Sequence, residues 1–207
     1  MKKVESEEAV NYIKAGREST YQFIDLLYRT DWQFEKKTPE NIKLYSLKGD
    51  KPSENFVRFE TKFGLVTVPE LVEYFTDIDK RMAWEGNTIF ESLEQVKAYA
   101  LKTNMYYAKL SNKKGGSTDT LFLTHGVEIQ GNRQYLSCTS VDHADYPPQK
   151  KTARNKFRTM SSYFEPTTDG KGVKHILIVQ MPVDQASSSP KALTRSFGKE
   201  GANQAHL

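Results

Sequence analysis

Arg81, Trp84 and Glu85 carry the clearest chemistry in this 207-residue chain. Arg81 and Glu85 stand four apart, so on a helix they share one face and flank the indole of Trp84. Two readings stay open. The trio is either a surface ion pair beside a core tryptophan, or a partly buried couple that receives a polar head group. Other reactive side chains are poorly grouped. His125, His143, His175 and His206 are scattered, and none pairs with another histidine or with the single Cys138 at ligand spacing, so no metal site is expected. Ser140, His143 and Asp145 crowd into one loop without the strained turn that presents a serine nucleophile. No carboxylate pair is isolated in an apolar run as a raised-pKa acid needs to be. The expectation is therefore a protein that is not an enzyme and uses no cofactor. The loop SNKKGGSTD lacks the G-x-x-x-x-G-K spacing that wraps phosphates. In the run QKKTARNKFR, Lys150, Lys151 and Arg154 lead a basic series that is either a solvated sheet edge or a contact with phosphates at a membrane surface. No aromatic-bearing RNA motif accompanies it, so nucleic acid is not expected as a partner.

The elements that must position these residues follow from periodicity. Ser6 before Glu7 and Glu8, then apolar positions at helical spacing through Leu27, predicts a long first helix. Thr67 and Glu70 stand in the T-x-x-E relation of a capping box with Pro69 in the first turn, and Leu71, Val72, Phe75 and Ile78 form one buried face. A second short helical piece then carries Arg81 to Glu85. Outside these segments the period is two. Ile42 to Leu47, Val57 to Phe63, Val96 to Leu101, Met105 to Leu110, Leu121 to Ile129, Arg133 to Val141, Phe157 to Glu165 and Val173 to Val183 read as strands. Gly131-Asn132 makes a hairpin turn. An antiparallel sheet of about seven or eight strands is expected. The tail from Ser187 offers only Ala192, Leu193 and Phe197 as a buried face, with Gly198 and Gly201 weakening the helix.

The length fits one domain, residues 1–207, with a proper core. With 12% aromatic residues there is enough large apolar surface to pack a core or to line a cavity. The net charge of +4 favours anionic surfaces only mildly. A lone cysteine and the lack of an apolar run long enough to span a bilayer lead to the expectation of a cytoplasmic protein, and a monomer is expected.

Three stretches, VPELVEYFTDIDKRMAWEGN, VDHADYPPQKKTARNKF and VKHILIVQMPVD, resemble the START family of lipid-transfer domains. In that family a helix ending D-x-x-x-R-x-x-W-[DEN] precedes the long meander. An H-x-x-x-P-P-x-K-x-x-x-R stretch sits between late strands. The resemblance runs roughly from Glu5 to Asp184. It implies an α+β helix-grip fold: a curved antiparallel sheet wrapped around a C-terminal helix, with an internal hydrophobic cavity for one lipid and no catalysis. It also implies a soluble carrier that touches membranes transiently. Arg81 and Glu85 then resemble the charged pair that meets phosphate and amine in members of the phosphatidylcholine-transfer type, and Tyr107 resembles a choline-cage aromatic. His125, Leu123, Tyr135, Phe157 and Tyr163 are expected to line the cavity, with Leu193 and Phe197 on a short lid within residues 185–207. The pattern departs from the family at Thr120, where a second cage aromatic would stand. It departs again at Thr118-Asp119, where R-D is usual, and after Asp184, where G-W-x-P is missing. Besides a phospholipid carrier, a sterol or sphingolipid carrier or sensor fits the pattern. So does a helix-grip enzyme, a cyclase or hydrolase with Glu85 or His125 as its acid or base.

Overall fold

A computed structural model describes residues 6–49, 55–85, 90–110 and 117–180. The first helix, α1 (Glu7–Leu27), starts where its cap predicts: the Ser6 hydroxyl accepts from the Ala9 amide, and Glu7 and Glu8 occupy the dipole-favoured first turn. Strands β1 (Gln33–Lys37), β2 (Lys43–Leu47) and β3 (Phe56–Gly64) follow. Helix α2 (Val68–Thr76) opens with the full capping box of Thr67 and Glu70. Asp77 ends α2 and starts α3 (Ile78–Glu85), because its carboxylate accepts from the Lys80 amide. The rest is strand: β4 (Phe90–Tyr99), β5 (Thr103–Leu110), β6 (Ser117–Ile129), β7 (Arg133–Ser140), β8 (Thr152–Arg154), β9 (Met160–Pro166) and β10 (Gly172–Gln180).

These strands make one curved sheet in the order β1-β2-β3-β10-β9-β7-β6-β5-β4, with β8 beside β6. Ten strands form where seven or eight were expected. The additional pairings are the short β1, joined to β2 through a bulge, and the three-residue β8, the one parallel pairing among the described residues. Strand β8 ends at Arg154, so Arg154, Lys156 and Arg158 do not lie along one strand.

Register fixes the two faces of the sheet. Across β5, β6 and β7, Tyr106 pairs with Phe122 and Thr124 with Cys138, while Met105 pairs with Leu123 and His125 with Ser137. Side chains alternate along a strand, so the first set points to one face and the second to the other. Helix α1 covers the second face. Phe23 and Leu27 pack there with Leu47, Phe56, Tyr135, Tyr163, Ile176 and Ile178, each large apolar side chain contributing about 1.5–3 kcal/mol by leaving water. The approach is close: a Cβ at Gly16 would sit 2.9 Å from the His125 Cβ. Helix α2 lies on the opposite, inner face, where Leu71, Val72 and Phe75 pack on Leu136, Phe164 and Val173. Helix α3 reaches β4 on that same face.

Candidate functional site

Helix α3 brings Arg81 to the inner face. Its amide bonds back to the Asp77 carbonyl at 2.9 Å, so the capped α2–α3 junction sets the direction of the side chain. The residue is only 8% exposed, and its guanidinium carbon lies 4.9 Å from the centre of the Phe90 ring. Nη1 reaches the Phe75 carbonyl at 3.4 Å. Around it runs an aromatic wall. Tyr106 stacks on Phe122 with centroids 5.5 Å apart, and Phe157 leans on Phe122 at 6.1 Å. Phe90, Ala108 and Cys138 complete the cluster. The Tyr106 hydroxyl reaches the Thr76 carbonyl at 3.4 Å, and burial raises its pKa above the usual phenol value.

Thr120 pairs with Ala108 across β5 and β6, on this inner face. It is 2% exposed, and its hydroxyl oxygen has no hydrogen-bond partner. A buried hydroxyl without a partner is unusual, because the group gives up its bonds to water and receives nothing in return. The inner face thus joins a buried cation, an unsatisfied hydroxyl and an aromatic surface. Such a surface can hold an anionic group at Arg81 while an apolar remainder lies along the rings.

The structure moves most of the other expected site residues elsewhere. Tyr107, Leu123, His125, Tyr135 and Tyr163 all point to the outer face, into or beside the α1 interface, so none shares a wall with Arg81. His125 is held by Thr103, Nδ1 to Oγ1 at 2.8 Å, and burial lowers its pKa. Tyr107 donates to Asp119 at 2.8 Å, and burial pushes its pKa up to about 12. Arg154 is not a membrane-facing cation. Its side chain is 6% exposed and its Nε contacts the fully buried Asp119 at 2.6 Å. Lys150 and Lys151 remain exposed, and Phe157 does face inward. The side chains of Trp84 and Glu85, and the whole of Leu193 and Phe197, lie outside the described residues.

Phe90, Tyr106 and Phe122 were not singled out from sequence. The one available signal was parity: once a single residue of β5 or β6 is known to point inward, register assigns the others. Among the described residues no three of His, Cys, Asp and Glu gather as a metal site would need, and no helix is long and apolar enough to cross a membrane.

The sequence matches no family profile and no curated protein. Solved structures do match the fold. Human StAR-related lipid transfer protein 5 is 13% identical and superposes with a TM-score of 0.79, covering 96% of this chain and 99% of its own. Human STARD10 is 14% identical with a TM-score of 0.76, covering 98% of this chain and 80% of its own. A STAR-related lipid transfer protein from Xanthomonas axonopodis is 16% identical with a TM-score of 0.66, covering 85% and 99%. The fold is the helix grip of StAR-related lipid transfer domains. The face that carries Arg81 is the one opposite α1. At such low identity the match fixes architecture, and function has to be argued from the site.

Proposed function

We propose that this chain is a non-catalytic, single-domain lipid carrier that holds a phospholipid against the inner face of its sheet. The observation that carries the reading is the Arg81 guanidinium, buried beside Phe90 on the face that also presents the unsatisfied Thr120 hydroxyl. A guanidinium takes phosphate oxygens through parallel hydrogen bonds. Acyl chains resist leaving a bilayer by about 0.8 kcal/mol per CH2, so a carrier must offer equivalent apolar burial. The rings of Phe90, Tyr106, Phe122 and Phe157 supply part of that surface. Likeness of fold to proteins named for lipid transfer supports the same reading. Within this proposal Glu85 and Trp84 complete the head-group end, Leu193 and Phe197 serve as the lid, and Lys150 and Lys151 meet the membrane surface. Tyr107 no longer belongs to it, and with Thr120 at the second position a choline cage is not part of the proposal.

Native mass spectrometry of the purified protein tests the class of ligand. A co-purifying phospholipid is the expected result; a sterol or a sphingolipid, whose hydroxyl Thr120 alone could serve, would replace the phospholipid reading with its alternative. Transfer of labelled phospholipid between vesicles then tests Arg81. The Arg81→Ala protein should stay folded by circular dichroism and lose transfer by about tenfold, the worth of one charge-assisted contact. Undiminished transfer would remove Arg81 from the site.

A further inference from the structure

The outer face, the side that α1 covers, carries a cleft apart from Arg81. It measures about 600 Å³ and is bounded by Ser92 and Glu94 of β4, Lys109 of β5, Asp145 and Tyr146 of the loop before β8, and Arg154. That volume suits a small molecule or a few residues of peptide. Asp119, with no exposed surface, and the Arg154 side chain, 6% exposed, form a buried ion pair there. Arg154 Nε and Nη2 reach the two Asp119 oxygens at 2.6 and 3.3 Å, and Nη2 also donates to the Tyr146 carbonyl at 3.2 Å. Tyr107 donates to Asp119 at 2.8 Å. Every polar edge of the pair is thus satisfied except one. Arg154 Nη1 has no acceptor, although a buried guanidinium ordinarily uses all its donors.

The missing partner is an acceptor of definite kind. Asp119 already cancels the charge of Arg154, and the rim holds Glu94 and Asp145 against Lys109. An anion would meet more negative than positive charge, so a neutral oxygen such as a peptide carbonyl suits Nη1, with a cationic side chain answering the rim carboxylates. Strand β4 supplies the means of holding a peptide. It is the last strand of the sheet and pairs, among the described residues, only with β5, and Ser92 and Glu94 are exposed along it. An edge of this kind accepts an extended segment through its free backbone groups. We infer that the β4 edge and the Arg154 cleft together bind an extended, basic segment of a partner protein, one backbone carbonyl of which accepts from Arg154 Nη1. This site is separated from Arg81 by the sheet itself, so it stands or falls apart from the lipid reading.

Nuclear magnetic resonance on full-length protein labelled with nitrogen-15 tests it, with acetyl-Lys-Ala-Lys-amide as the probe. Acetyl-Glu-Ala-Glu-amide and inorganic phosphate serve as competing chemistries. The lysine peptide should shift the Arg154 side-chain signal and the amides of residues 92–95 in a saturable way. The Glu94→Gln, Asp145→Asn double variant, whose changes are confined to exposed side chains, should weaken that binding about tenfold. Arg154 itself is left intact, because removing it would strand Asp119. No saturable shift, tighter binding of phosphate or of the glutamate peptide, or binding indifferent to the double variant would each overturn the inference.

Discussion

Acidification should weaken this fold through one buried imidazole, and the size of the effect follows from its surroundings. His175 lies under α2, stacked on Phe164 with centroids 4.8 Å apart and 5.1 Å from Phe75, with Nε2 bonded to the Ser162 hydroxyl at 3.0 Å. Among the described residues no carboxylate contacts it there, so desolvation acts, and its pKa is pushed down to about 3. In the unfolded chain the imidazole returns to about 6.5. Between those values the unfolded state binds a proton that the folded state refuses, so stability is full above the unfolded value and falls as pH drops below it. Each unit in that window is worth up to about 1.4 kcal/mol, and from pH 7 to pH 5 the loss from His175 is about 2 kcal/mol. The figure hardly depends on the folded pKa, provided that it stays well under 5. Carboxylates with lowered values, such as Glu165, act in the same direction but chiefly below their unperturbed value of 4.5, and His125 adds a parallel contribution of its own. Urea denaturation of the wild type and of His175→Gln at both pH values isolates the term. The variant should lose about 2 kcal/mol less than the wild type over the interval. If both lose the same amount, His175 is either hydrated or paired, and the packing described around it is wrong.

Three further outcomes test other parts of the structure. Arg154→Met should cost about 3–5 kcal/mol by leaving Asp119 buried and unpaired, and adding Asp119→Leu should recover at least half of that in the same urea assay. Gly16→Ala should lower the melting temperature even though alanine favours helix by about 1 kcal/mol, because its Cβ meets the His125 Cβ at 2.9 Å and overpacking costs about 1–3 kcal/mol; a rise would place α1 farther from the sheet. Leu65 is 97% exposed with φ at +57°, so Leu65→Gly loses no burial, relieves the left-handed backbone and should stabilise the fold by up to about 1 kcal/mol; a measurable loss of stability would mean that the side chain is packed.

Local structure was legible in the chain. The Ser6 and Thr67 caps, the apolar stripes of the first two helices, the two-residue period of the long strands and the Gly131-Asn132 turn all act over a few residues, so their signals are complete in the chain. The sequence also marked Arg81, whose spacing on α3 is local. Which side of the sheet meets α1 and which meets α2 and α3 follows only from long-range packing. Both faces of β5 and β6 are buried, one under α1 and the other toward α3, so Tyr106 and Tyr107 look equally apolar in sequence, and a one-residue error of parity carries Tyr107, Leu123 and His125 to the wrong wall. The Asp119–Arg154 pair joins residues 35 apart through a parallel pairing of three residues, too short to leave a pattern, and so a buried ion pair read as part of a basic surface run.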